Sequence, residues 1–183
     1  MYKVFINPGH CPGVDSGAVN EDYGVQESAI VAEVGSMVES YLIAAGYETK
    51  VIQSDNLAGE SQGPNVTAEA NAWEASVFVS IHCNAATNKA AKGTETLIYK
   101  GGSDSEELAY YIQEQICESL EMVDRGIKER PELIVLKRTE MPAVLVELGF
   151  ISNDEDCEKL IASKDDFAAA VARGITDYFE LML

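Results

Sequence analysis

At 183 residues the chain is long enough for one domain with a full-sized core, and 46% hydrophobic and 24% charged content exclude a disordered polymer. A formal charge of −18, thirteen Lys and Arg among thirty-one carboxylates, excludes a basic nucleic-acid footprint and disfavours an anionic membrane surface as partner. No apolar stretch approaches the ~18 residues that cross a bilayer.

In chain order, the first β-rich run is 2–6 (YKVFI), broken by Asn7-Pro8-Gly9 and followed by His10. Its start carries too few consecutive apolar residues for the core of a signal peptide. A helical pattern spans 27–45, with Ile30, Val31, Val34, Val38, Tyr41, Leu42 and Ala45 at three- and four-residue steps and Gly46 as a stop. Strand 48–53 (ETKVIQ) leads into a polar loop, 54–65, and strand 77–81 (VFVSI) delivers His82 into a second loop, "CNAATNKAAKG". Strand 94–99 (TETLIY) precedes a helix over 103–122, where Ser103 and Glu106 form a capping-box pattern. Strands are expected at 133–137 (LIVLK) and 144–147 (VLVE), then a second Ser152/Glu155 capping pattern and a helical stripe from Phe167 to Phe179. Strands alternating with helices predict a single α/β domain: a mostly parallel, six-stranded twisted sheet with helices on both faces. The four cysteines (Cys11, Cys83, Cys117, Cys157) form no C-x-x-C pair, so a disulfide scaffold is not expected. Cys117 and Cys157 fall on apolar helical stripes as core thiols.

Function in open α/β sheets collects at the carboxyl ends of the strands. His10 and His82, the chain's two histidines, each follow a strand to that edge. Glu147 ends the run "AVLVE", and Glu27 opens the first long helix at the same edge. Two imidazoles and a carboxylate are a common ligand set for catalytic zinc, and a further carboxylate is then needed to move protons. Spacing alone leaves both a metal site and a pair of capping or core histidines open. Cys11 and Cys83 raise a third reading, a closed His2Cys2 zinc site. Against it, neighbouring residues of an extended chain point to opposite sides.

The residues resemble one known family, the zinc-dependent N-acetylmuramoyl-L-alanine amidases of the amidase-3 type. "INPGHCPGVDSGAV" is similar to the family's opening strand and first histidine loop, and "VQESAIVAEVGSMVESYLIAAGYETKVIQ" to its glutamate-led helix. "ANAWEASVFVSIHCNA" resembles the second histidine segment, and "RGIKERPELIVLKRTEMPAVLVELGFISNDEDCEKL" the final strands with the catalytic glutamate. The resemblance covers essentially the whole chain. It implies an amidase catalytic domain over 1–183, with His10, Glu27 and His82 binding Zn2+ and Glu147 as general base and acid. The implied reaction is hydrolysis, by zinc-bound water, of the amide between N-acetylmuramic acid and L-alanine in peptidoglycan. The expected setting is the cell wall, reached by phage release, by other export or after loss of a leader. Asn7 replaces a frequent aspartate and Val66 a frequent arginine, neither of them a ligand position. Glu21 is the alternative to Glu27. Only Lys100-Gly101-Gly102 separate Tyr99 from Ser103, too few for the helical plug of some relatives, so an open cleft is expected. Two other functions stay in view: a metal-dependent amide hydrolase of small cytosolic substrates, and a non-catalytic wall-recognition module.

Overall fold

A computed structural model describes residues 1–182. The elements run β1 (Lys3–Pro8), β2 (Val19–Asn20), β3 (Val25–Gln26), α1 (Glu27–Ala44), β4 (Glu48–Val51), α2 (Val66–Ala72) and β5 (Val77–Asn84). They continue with β6 (Thr94–Ile98), α3 (Asp104–Leu120), β7 (Asp124–Glu129), α4 (Ile134–Lys137), β8 (Ala143–Phe150), α5 (Asp154–Ala162) and α6 (Lys164–Glu180). Six strands form one sheet in the order β4-β1-β5-β8-β6-β7, and β2 and β3 form a separate small hairpin. All sheet pairings are parallel except β6 against β8, so the expected mostly parallel sheet is present.

The central strands are buried on both faces, which is why their sequences are continuously apolar rather than alternating. On one face lie α1, α3, α5 and α6, around Val34, Ile112, Leu160 and Val171. The other face has a smaller core, where Phe5, Phe78, Leu97 and Leu145 are covered by Val66 of α2 and Val135 and Leu136 of α4. Helices thus lie on both faces, the second layer with the smaller core. Among the described residues, no helix is long and apolar enough to cross a membrane.

Helix α1 ends as its sequence demands. Gly46 takes φ +89°, its N–H donates to the Ile43 carbonyl and the Tyr47 N–H to the Leu42 carbonyl, the paired bonds of a Schellman motif. Other local expectations need correction. Residues 133–137 are not a strand: 134–137 form a single helical turn, with Lys137 N–H donating to the Leu133 carbonyl. An apolar run this short carries no period that separates helix from strand. The sixth strand is instead the polar segment 124–129 at the sheet edge. Neither capping box forms. Ser103 Oγ donates to the Lys100 carbonyl, the Glu106 carboxylate accepts from Gly102 N–H, and Asn153 rather than Ser152 caps α5 by accepting from Asp156 N–H.

Helices α3 and α6 meet at Gly174, where an added Cβ would lie 2.5 Å from Ile112 Cα and 2.7 Å from its nitrogen. Gly174→Ala should therefore force the helices apart and destabilise the fold by about 1–3 kcal/mol. At about 2–4 °C per kcal/mol for a chain of this size, thermal unfolding should show a clear drop; an unchanged Tm would contradict the close packing.

Candidate metal centre

The site is assembled by three segments that the sheet brings to its carboxyl edge. Strand β1 ends at Pro8, and the chain turns at His10, which adopts φ 60°, a left-handed conformation uncommon for a non-glycine residue. His82 lies within β5, two residues before its end. Glu27 is the first residue of α1, placed there by the β2–β3 hairpin, with its N–H donating to the Ala18 carbonyl.

Glu27 is buried, and four donors or imidazole nitrogens surround its carboxylate. Oε1 accepts from Cys83 N–H at 2.9 Å and faces His82 Nδ1 at 3.0 Å. Oε2 accepts from Ala18 N–H at 2.9 Å and faces His10 Nε2 at 3.1 Å. One ligand atom from each of His10, Glu27 and His82 can be chosen so that all three lie within 4.8 Å of one another. Donors about 2.0–2.2 Å from a tetrahedral zinc ion stand roughly 3.3–3.5 Å apart; each imidazole nitrogen lies near that spacing from Glu27, His82 Nδ1 at 3.0 Å from Oε1 and His10 Nε2 at 3.1 Å from Oε2. Glycines shape the cradle. A Cβ on Gly9 would sit 2.2 Å from the His82 ring, and one on Gly17 2.6 Å from both Glu27 Oε2 and the His10 ring.

Electrostatics support the donor set. Burial works to raise the Glu27 carboxyl, but hydrogen bonds with His10 and His82 outweigh it and hold the group well below the usual carboxylate range. The Glu27 carboxylate in turn raises His10 from 6.5 to about 9, against burial and with help from Asp15. Asp15, which sequence reading missed, places Oδ2 2.6 Å from His10 Nδ1 while Oδ1 accepts from Gly17 N–H at 3.0 Å. It thereby fixes the ring so that Nε2 faces Glu27. The only signal in the sequence was a carboxylate five residues on within the same glycine-rich loop.

Glu147 is in β8, directly in register with His82 of the parallel neighbour β5 and sharing its face. It does not end its strand, which continues to Phe150, because "LGF" is as buried as the run before it. Its Oε2 is buried without a hydrogen-bond partner. Burial pushes the carboxyl from 4.5 up to about 7, with His82 opposing and the Glu27 and Glu95 carboxylates adding to the rise. The alternative residues are elsewhere: Glu21 is exposed in the turn before β3, and Cys83 is buried with its backbone, not its thiol, directed at Glu27. Among the described residues, no cysteine joins the cluster. A cavity of about 170 Å³ opens beside His10 and His82, walled by Leu57, Leu133, Ile134 and Leu145.

An open α/β sheet carrying a three-donor cluster and a buried acid at its carboxyl edge has the layout of a metal-assisted hydrolase. A family profile described as N-acetylmuramoyl-L-alanine amidase matches residues 4–177. The N-acetylmuramoyl-L-alanine amidase CwlM of Bacillus licheniformis is 35% identical over 178 residues, which cover 95% of this chain and 66% of that protein. The uncharacterised protein YqiI of Bacillus subtilis is 38% identical over 183 residues, 97% of this chain and 84% of its own. The crystal structure of N-acetylmuramoyl-L-alanine amidase from Clostridium difficile 630 superposes with a TM-score of 0.85 at 30% identity, covering 98% of this chain and 97% of that one. The chain belongs to the N-acetylmuramoyl-L-alanine amidase family, hydrolases that cut the amide joining N-acetylmuramic acid to L-alanine in peptidoglycan.

Two outcomes follow from the geometry. Asp15→Asn should weaken zinc binding by about 10–100-fold, the usual scale for losing a carboxylate that orients a ligating histidine; competition with a chromophoric chelator measures it, and unchanged affinity would contradict the orienting role. Because His10 is protonated below about pH 9, an incoming ion must displace that proton. Zinc affinity should therefore rise by about tenfold per pH unit from about 6.5 toward 9, and a flat profile would contradict the His10–Glu27 coupling.

Proposed function

We propose that residues 1–183 form the catalytic domain of a peptidoglycan amidase acting at the cell wall, with His10, Glu27 and His82 as zinc ligands and Glu147 as proton carrier. The observation that carries this reading is Glu147 Oε2, a buried carboxylate oxygen without a partner, on the strand directly beside His82. A buried polar atom left unpaired costs roughly 1–3 kcal/mol, which function rather than packing explains.

A zinc ion held by these residues supplies Lewis acidity, which acidifies water and polarises a carbonyl group. Burial raises the Glu147 carboxyl to about 7 in the metal-free chain, toward the range in which a group takes a proton and returns it near neutral pH. Its carboxylate takes one proton from the attacking water as the new carbon–oxygen bond forms at the muramoyl carbonyl. The same group then returns that proton to the L-alanine nitrogen as the carbon–nitrogen bond breaks. The products are a lactyl carboxylate on the glycan and a peptide with a free amino terminus. Asp15 holds His10 in place throughout, and the backbone N–H groups of Cys83 and Ala18 hold Glu27.

Glu147→Gln keeps the size and removes the proton exchange. It should lower kcat on muramoyl-L-alanyl substrates by about 10²–10⁴ while zinc content, measured by inductively coupled plasma mass spectrometry, stays at the wild-type level. Loss of zinc together with activity would make Glu147 a ligand and overturn the assignment.

A further inference from the structure

The sheet places one row of charged side chains beyond Glu147. Strand β6 runs antiparallel to β8 with Glu95 directly opposite Glu147, so the two carboxylates share a face. Beyond β6 lies the edge strand β7, whose register slips between Thr94 and Thr96. The slip comes at Gly126, with φ +76°, and turns both Arg125 and Lys128 onto Glu95. Arg125 Nε is 2.7 Å from Glu95 Oε2, Lys128 Nζ contacts the same oxygen, and Asn84 Nδ2 donates to Oε1 at 3.1 Å.

Glu95 is therefore fully satisfied, and its partners are not. Lys128 uses one of its three donors and Arg125 two of its five, the second on the Lys92 carbonyl. Both side chains remain about a third exposed, at 30% and 33%, whereas Glu95 is 7% exposed. Two cations around one buried anion leave a positive surface beside the proton carrier, on a chain of net charge −18. Lysines on edge strands commonly protect against edge pairing by pointing to solvent. These cations instead turn inward, over the face that carries Glu147 and His82.

We infer that Arg125 and Lys128 form a subsite for a carboxylate of the stem peptide, the second residue's, on the departing side of the scissile amide. The inference rests on the amidase reading, since it takes the substrate from there. In a polymer of N-acetylated sugars and short peptides, the muramoyl carboxyl is consumed in the amide, so the free carboxylates belong to the peptide. The distances agree. Two residues of extended peptide span about 7 Å, and strands are about 4.8 Å apart. An ammonium held against Glu95 therefore lies about one to two strand spacings, roughly 5–10 Å, from β8. The peptide then runs over β6 toward β7.

The test uses the peptide product and needs no turnover. A dipeptide of L-alanine followed by an acidic residue, alanyl-glutamic acid, and its diamide are titrated into the full chain, with and without zinc, and binding is followed by NMR. The diacid should bind about tenfold more tightly than the diamide, the scale of one charge-assisted hydrogen bond. Lys128→Gln, which leaves the Arg125–Glu95 pair, should reduce that preference to about threefold or less, and Lys128→Arg should retain it. Equal affinities in the wild type, or a preference left undiminished by Lys128→Gln, would overturn the subsite. Glycerol phosphate binding as tightly as the diacid would overturn the peptide assignment in favour of wall-polymer phosphate. Turnover of muramoyl substrates, measured separately, tests the amidase reading itself.

Discussion

A single buried carboxylate ties the carboxyl edge of the sheet together. Glu27 starts α1 and is held by backbone donors from the β2 segment and from β5, while both histidines of the chain turn a ring nitrogen toward it. Burying such a group without partners would be prohibitive, since an isolated charge in the interior would neutralise or unfold its surroundings. Three segments distant in sequence must therefore meet for Glu27 to be tolerated at all, and their meeting creates the donor cluster.

The sheet arranges the remaining chemistry in strand order. His82, Glu147 and Glu95 face the same way on β5, β8 and β6, with Arg125 and Lys128 at the β7 edge. The single antiparallel pairing matters here, because it sets Glu95 squarely across from Glu147. Glu95 is held below its usual pKa: burial opposes ionisation, but Lys128 and Arg125 outweigh it. A fixed negative charge beside Glu147 favours its protonated form, whereas the cluster around Glu27 remains anionic. Neighbouring carboxylates with opposite tendencies are the pattern that the proposed roles require, Glu27 to hold a cation and Glu147 to carry a proton.

Much of this was legible in the sequence, for identifiable reasons. Strand β1, helix α1 with its Gly46 stop, and the positions of His10, Glu27 and His82 at one edge all follow from hydrophobic period, glycine conformation and α/β topology. The segment 133–137 suggests a strand but forms a helical turn, because four apolar residues fit either equally well. Strand β7 was missed because an edge strand, half in solvent, needs no apolar run. Asp15 and the Glu95–Arg125–Lys128 group were invisible for a different reason. Their roles depend on register and on a bulge at Gly126, which no local pattern encodes. Glu147 was found, but its place inside a longer strand depends on the burial of Leu148 and Phe150, known only once the fold is assembled.

The central claim is that two imidazoles and the Glu27 carboxylate share one divalent ion with Glu147 standing free of it. Diffraction from zinc-loaded crystals, with anomalous data on either side of the zinc edge, tests it most directly. The account predicts one strong anomalous peak per chain, at about 2.0–2.2 Å from nitrogens of His10 and His82 and an oxygen of Glu27, with both Glu147 oxygens beyond bonding distance. A peak bonded to Glu147, or none touching both histidines, would contradict it.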